Sequence, residues 1–88
     1  MEGLRDTQLF KTVQGGSPSV AQVLEEVYQA LLEREFDPVS QIVGYIMSGD
    51  PTYITSHRNA RSLIMKVERD EILEELMSVY IGSKLRRR

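Results

Sequence analysis

The chain contains no cysteine. That absence removes disulfide staples, thiolate nucleophiles and sulfur-rich metal sites together, and it suits the cytosol. Histidine occurs once, as His57, and with no cysteine to join it His57 reads as a solvated residue in the first turn of a helix, not a ligand or base. No apolar run approaches the ~20 residues that a bilayer span requires. The opening stretch, MEGLRDTQLFKTV, lacks the basic and then apolar blocks of a secretion signal. The expectation is a cytoplasmic protein with no membrane insertion. Reaction motifs are missing as well: there is no G-x-S-x-G elbow, no glycine-rich phosphate loop and no H-E-x-x-H. No enzyme activity, catalytic residue, cofactor or metal is therefore expected. Asp70, Glu71, Glu74 and Glu75 lie close together near one helix end, where a solvated acidic face accounts for them.

Length is also in short supply. Eighty-eight residues bound the chain to one domain. A domain of that size buries only roughly 60% of the surface its unfolded form exposes, so self-association would help it. The apolar share of 41% against 27% charged residues is that of a globular protein, not a disordered one. Charge is unevenly spread. Residues 1–16 are neutral overall and residues 83–88 carry +4, while in 17–82 eleven carboxylates against five cations leave −6. Such a body repels a phosphate backbone unless its few cations share one face, which disfavours nucleic acid as partner.

What the chain does have is helix punctuation. Residues 1–16 show no sustained period and end in Gly15-Gly16, so they read as a mobile N-terminal tail. Three prolines then follow capping residues, as Ser17-Pro18, Asp37-Pro38 and Asp50-Pro51. Proline at the first helical position costs nothing, and the preceding oxygen accepts from a first-turn N–H. Ser19 with Gln22 offers an alternative capping box for the first start. The first helix is expected over about 18–34, with Val20, Val23, Leu24, Val27 and Leu31 on one face. A second, 38–48, is apolar on most sides and so should be surrounded; Gly44 in its middle points to close approach of another helix, including across a dimer. Gly49 supplies a left-handed cap. A turn at 51–54 and a helix over 57–67 follow, with Ala60, Leu63, Ile64 and Val67 inward. The apolar phase slips between Glu68 and Glu71 and resumes with Ile72, Leu73, Leu76, Met77 and Tyr80, which predicts a break and a final helix ending before Gly82. The fold class is all-α, a compact bundle of four to five short helices over 17–82, with tails at 1–16 and 83–88.

Several residues carry two readings each. Tyr45 and Tyr53 bracket the Ser48-Gly49-Asp50-Pro51 turn and either pack in the core or anchor a contact surface. Arg58, Arg61 and Arg69 could align on one side of the penultimate helix, either as a solvated face or as an anion site for phosphate on a tail or partner. Thr7 and Thr12 in the N-terminal tail are accessible to kinases on the mobile reading. Arg86, Arg87 and Arg88 form a basic end.

The ordered set Gln41-Ile42-Val43-Gly44-Tyr45, Ser48-Gly49-Asp50-Pro51, Tyr53, Ala60-Arg61, Glu68-Arg69-Asp70-Glu71-Ile72 and Glu74-Glu75-Leu76 resembles the IreB family of small proteins from low-GC Gram-positive bacteria. It covers roughly half the chain without gaps. The resemblance implies a non-enzymatic regulator with an all-helical homodimeric body. Its implied partners are a transmembrane Ser/Thr kinase, the cognate phosphatase and an unidentified downstream protein. It also implies phosphorylation of an N-terminal threonine and an influence on cell-envelope stress, including β-lactam resistance. By position, Asp6-Thr7-Gln8-Leu9-Phe10 matches the family's tail motif, which makes Thr7 the phosphorylation candidate. Departures are Leu4, where a second threonine can stand, Asp37 and Ser40 for asparagines, Thr55-Ser56 where Pro-Arg is common, and Met65 for a basic residue. The rivals from other classes are a helical nucleic-acid-binding module using 57–67 and the basic end, and a constitutive protein-interaction adaptor.

Overall fold

The first helix begins where a serine and a glutamine satisfy each other's free backbone N–H groups. In the structure, a computed structural model that describes residues 18–86, Ser19 Oγ accepts from the Gln22 N–H at 3.1 Å and Gln22 Oε1 accepts from the Ser19 N–H at 2.9 Å. This capping box, not the Ser17-Pro18 pair, starts α1 (Val20–Glu33). Val23, Val27, Ala30 and Leu31 recur at helical spacing and are fully buried. The helix stops in a Schellman arrangement: Phe36 N–H donates to Leu31 O at 2.9 Å and Glu35 N–H to Leu32 O at 2.9 Å. Glu35 takes the left-handed position, φ 66°, a site usually filled by glycine.

Asp37 and Pro38 start α2 (Pro38–Ser48), with Asp37 Oδ1 accepting from Val39 N–H at 3.1 Å and Oδ2 from the Ser40 hydroxyl at 2.9 Å. Gly49, φ 77°, closes it by donating its N–H to Tyr45 O at 2.7 Å. A 3₁₀ turn, Pro51–Tyr53, follows at once, capped by Asp50. Its last residue leads into Ile54, which is wholly buried.

The expected helix over 57–67 is broken into pieces. A 3₁₀ turn, His57–Asn59, contains two consecutive left-handed residues, Arg58 (φ 59°) and Asn59 (φ 63°). Regular helix starts only at α3 (Ala60–Ile64), whose Ala60 and Ile64 are buried. The left-handed pair turns the chain sharply, so the segment cannot be one continuous rod. The phase slip does end it: backbone bonds from Lys66 to Leu63 O and from Val67 to Ile64 O mark the exit. Then α4 (Arg69–Tyr80) begins, with Glu71 Oε1 accepting from the Glu68 N–H at 2.9 Å and Asp70 and Glu71 in the first turn. Those carboxylates favour that end through the helix dipole.

The final helix does not stop before Gly82. Gly82 is not in the left-handed region, and the chain continues as a π-helical turn, Ile81–Leu85, closed by Arg86 N–H to Ile81 O at 2.9 Å. Its carbonyls are thus occupied in place of a glycine cap.

The described residues form an all-α body without strands. α1 packs on α3, α4 and the 57–59 turn, and α2 on the 51–53 turn and α4. The core comprises Val23, Val27, Ala30, Leu31, Tyr45, Ile54, Ala60, Ile64 and Ile72, with Leu24, Ile42, Ile46, Leu63 and Val67 against it. Two expectations are corrected here. α2 is not surrounded: only Tyr45 is buried, while Val39 is 70% and Met47 77% exposed. Of the apolar set on α4, Ile72 alone is buried and Leu73, Leu76, Met77 and Tyr80 face outward. One side of each helix suffices to close so small a core, and the surplus apolar side chains are left on the surface.

Candidate interaction surfaces

The three arginines read as one cationic side have three separate employments. Arg58 reaches back to α1, donating to Glu26 Oε1 at 2.9 Å and to Glu33 Oε2 at 2.7 Å. Beside it, His57 Nε2 meets Glu33 Oε1 at 2.7 Å, so His57, with its side chain still 34% exposed, is paired to α1. The hydrogen bond from His57, aided by Arg58, holds the Glu33 carboxyl below the ordinary glutamate range, and Glu26 and then Glu33 raise Arg58 further. This cluster ties the 57–59 turn to α1. It also gives the left-handed Arg58 a reason to persist, since its side chain bridges two carboxylates.

Arg61 Nε donates to the Ile54 carbonyl at 2.8 Å, satisfying a carbonyl at the buried corner between the 51–53 turn and α3. Arg69 Nη1 donates to the Ile46 carbonyl at 2.9 Å. Its guanidinium lies over Gly49, where a Cβ would come within 2.9 Å of Cζ. Arg69 is therefore a cationic cap on the C-terminal end of α2, where the helix dipole favours positive charge. Arg58, Arg61 and Arg69 hold three joints of the fold.

Asp50 is equally committed. Its Oδ1 accepts from the Thr52 hydroxyl at 2.7 Å and the Thr52 N–H at 3.0 Å, and these bonds, with the field of Arg61, lower its pKa. Tyr45 is 6% exposed and belongs to the core; Tyr53 is 40% exposed. The Tyr53 ring lies against Gly44: a Cβ there would sit 2.9 Å from Cζ and closer still to Cε1 and Cδ1. The close approach that Gly44 announced is thus made by an aromatic ring of the same chain, not by another helix. Gln41 Nε2 donates to Tyr53 O at 2.8 Å and pins the turn in place. Thr7 and Thr12 lie outside the described residues.

Among the described residues no three acidic or histidine side chains converge to hold a metal ion, and no helix is long and apolar enough to cross a membrane. With helix 57–67 broken and Arg58 and Arg61 engaged, the described residues present no continuous cationic helix to a nucleic-acid groove.

The open feature is apolar, and sequence reasoning missed it. Two adjoining hollows run across α1, α2 and α4. One, of about 310 Å³, is walled by Tyr28, Leu32, Val39, Ile42, Val43 and Leu76. The other, of about 450 Å³, lies between the first half of α1 and the last half of α4; it shares Tyr28 and Leu76 with the first. The signal was present in the spacing: Val39, Val43 and Met47 recur every four residues on α2, as a second stripe beside the buried one.

The described residues thus define a small all-α protein whose Arg58, Arg61 and Arg69 fasten its own turns and whose α1, α2 and α4 leave apolar side chains exposed. The chain belongs to the family described as IreB regulatory phosphoprotein, which matches over residues 5–82. It is similar to a UPF0297 protein of Lachnoclostridium phytofermentans, 61% identical over 88 residues and the full length of both chains. It is also similar to a UPF0297 protein of Ruminiclostridium cellulolyticum, 46% identical over 79 residues, or 90% of each chain.

Proposed function

We propose that this protein is a non-enzymatic, cytoplasmic signalling regulator that works as a homodimer and is switched by phosphorylation of Thr7. A transmembrane Ser/Thr kinase adds the phosphate, a cognate phosphatase removes it, and the protein, through a downstream protein, modulates the cell-envelope stress response and β-lactam resistance. The observation that carries this reading is the family match, which spans both Thr7 and the helical body. The open apolar face supports the homodimer: contiguous exposed apolar surface on a small domain marks an interaction site. A second copy fits best on the hollow around Val43, whose walls are apolar throughout and so bring no charge against its symmetry mate.

Incubation with a Ser/Thr kinase of this type, followed by intact-mass analysis, should add one phosphate to the protein and none to Thr7→Ala. Modification elsewhere, or none, defeats the phosphorylation reading. Sedimentation at micromolar concentration should give a dimer, and Val43→Glu a monomer of unchanged helicity. A 10 kDa species from the unaltered chain defeats the dimer.

A further inference from the structure

We infer that the hollow between α1 and α4 is a docking groove for an amphipathic helix of a partner protein, one that carries arginine or lysine beside its apolar stripe. The inference deepens the reading above: it rests on the protein acting through a downstream protein and gives that contact a chemistry. The walls are two helical stripes. Ala21, Leu24, Glu25 and Tyr28 recur along α1 at spacings of three and four, and Glu75, Leu76, Val79, Tyr80 and Ser83 line the other side in the same rhythm. The stripe on α1 is about 10 Å long, two turns of helix, and the hollow between the walls holds about 450 Å³. A trough walled by two helices accepts a third, whose residues at i, i+4 and i+7 enter it. Ala21, with only a methyl group, leaves room for a backbone to come close at its end. Tyr28, Leu76, Val79 and Tyr80 are each between 41% and 57% exposed, which is the apolar area that such a helix would cover.

Charge decides the occupant. Glu25 stands on one wall and Glu75 on the other, and no described cation pairs with either. Glu75 is half-buried, so its carboxylate is partly withdrawn from water without a counterion, a deficit that a cation on the occupant repairs. Residues 18–86 hold eleven carboxylates against seven cations, a net −4, and three of those cations, Arg58, Arg61 and Arg69, are bonded elsewhere in the fold. That field draws a basic partner in and turns away acidic protein, nucleic acid and anionic lipid. Tyr28 and Tyr80 add aromatic faces on which an arginine or lysine cation rests favourably. A second copy is the weaker occupant. A two-fold contact would bring two more glutamates to the same trough, whereas the hollow around Val43 has apolar walls and no such opposition.

The probe is a designed helical peptide of about 14 residues, with leucines at i, i+4 and i+7 and arginines on both sides of them. Its counterpart carries glutamate at every arginine. Fluorescence anisotropy with the full-length protein should give the arginine peptide a Kd of roughly 10–100 μM, and the glutamate peptide should not saturate. Glu25→Arg with Glu75→Arg should weaken the arginine peptide roughly tenfold. Glu35→Arg with Glu74→Arg makes the same change in net charge at exposed positions outside the lining, and should leave Kd within about threefold. Val79→Ser should also weaken binding, with helicity retained. Failure of the arginine peptide to saturate by about 1 mM, or equal losses in the two charge-reversed pairs, overturns the inference. A changed sedimentation mass in Glu25→Arg with Glu75→Arg overturns it too, assigning the trough to a second copy. The measurements use unphosphorylated protein, and binding should persist in Val43→Glu. If the phosphorylation and dimer tests fail while the charge-dependent binding holds, the docking stands; if the binding fails while they succeed, only the docking falls.

Discussion

Gly44→Ala is a substitution whose sign depends on one distant side chain. In an ordinary helix interior, alanine is favoured over glycine by about 1 kcal/mol. Here the added methyl would enter the Tyr53 ring, 2.9 Å from Cζ and nearer to two other ring carbons. Room can come only from rotation of the ring about its own side-chain bonds, since the Gln41 amide holds the Tyr53 carbonyl at 2.8 Å and Asp50 caps the turn, which fixes the backbone that carries it. Overpacking of this kind costs about 1–3 kcal/mol, so the net result should be destabilisation of about 1 kcal/mol. For a domain of this length that lowers Tm by about 4–8 °C. With Tyr53→Ala as the background the obstruction is gone, and the same change at position 44 should stabilise by about 1 kcal/mol. The coupling between the two sites is then about 2 kcal/mol, within the range for residues in direct contact. The assay is urea unfolding followed by circular dichroism on the four proteins of the cycle, at one fixed protomer concentration because self-association adds to apparent stability. Equal destabilisation by Gly44→Ala in both backgrounds would refute the reasoning and move the neighbour of Gly44 to another molecule.

Other expected outcomes follow from the joints of the fold. Glu35→Gly should raise stability by about 0.5–1 kcal/mol, because the strain of a left-handed glutamate exceeds the entropy that glycine adds to the unfolded chain; thermal melts check this. Arg69→Ala should cost about 0.5–1.5 kcal/mol by stripping the cap from the Ile46 carbonyl, and Arg69→Lys should recover only part of it in the same unfolding assay. The lowered pKa values of Glu33 and Asp50 mean that the stability they lend is complete at neutral pH, above the unfolded values, and is lost as pH falls through the folded ones. Urea midpoints measured from pH 7 down to about 3 should decline, and Glu33→Gln and Asp50→Asn should each flatten that decline.

Local signals were the legible ones. Asp37, Asp50 and Gly49 satisfy backbone groups within three or four residues of themselves, so their roles can be read from neighbours in the chain. The break near Glu68 was legible for the same reason, since helical phase is a local property. What escaped depends on distance in sequence. Arg58 and Asn59 adopt left-handed geometry because Glu26 and Glu33, some 25 to 32 residues earlier, draw the arginine back to α1. Arg69 spends its charge on a carbonyl 23 residues away, which no pattern of cations along one helix could announce. The apolar excess of α2 was visible, but the number of its sides that meet the core is decided only by how few residues are needed to close it.

Tyr28 and Leu76 each form part of both hollows, and that sharing has a thermodynamic price attached. Two guests that lean on the same pair of rotamers cannot bind independently; whatever free energy one gains or loses from the other's presence must be returned in equal measure. A lone tyrosine and a lone leucine are thus the side chains through which an occupant of one hollow would be felt in the other.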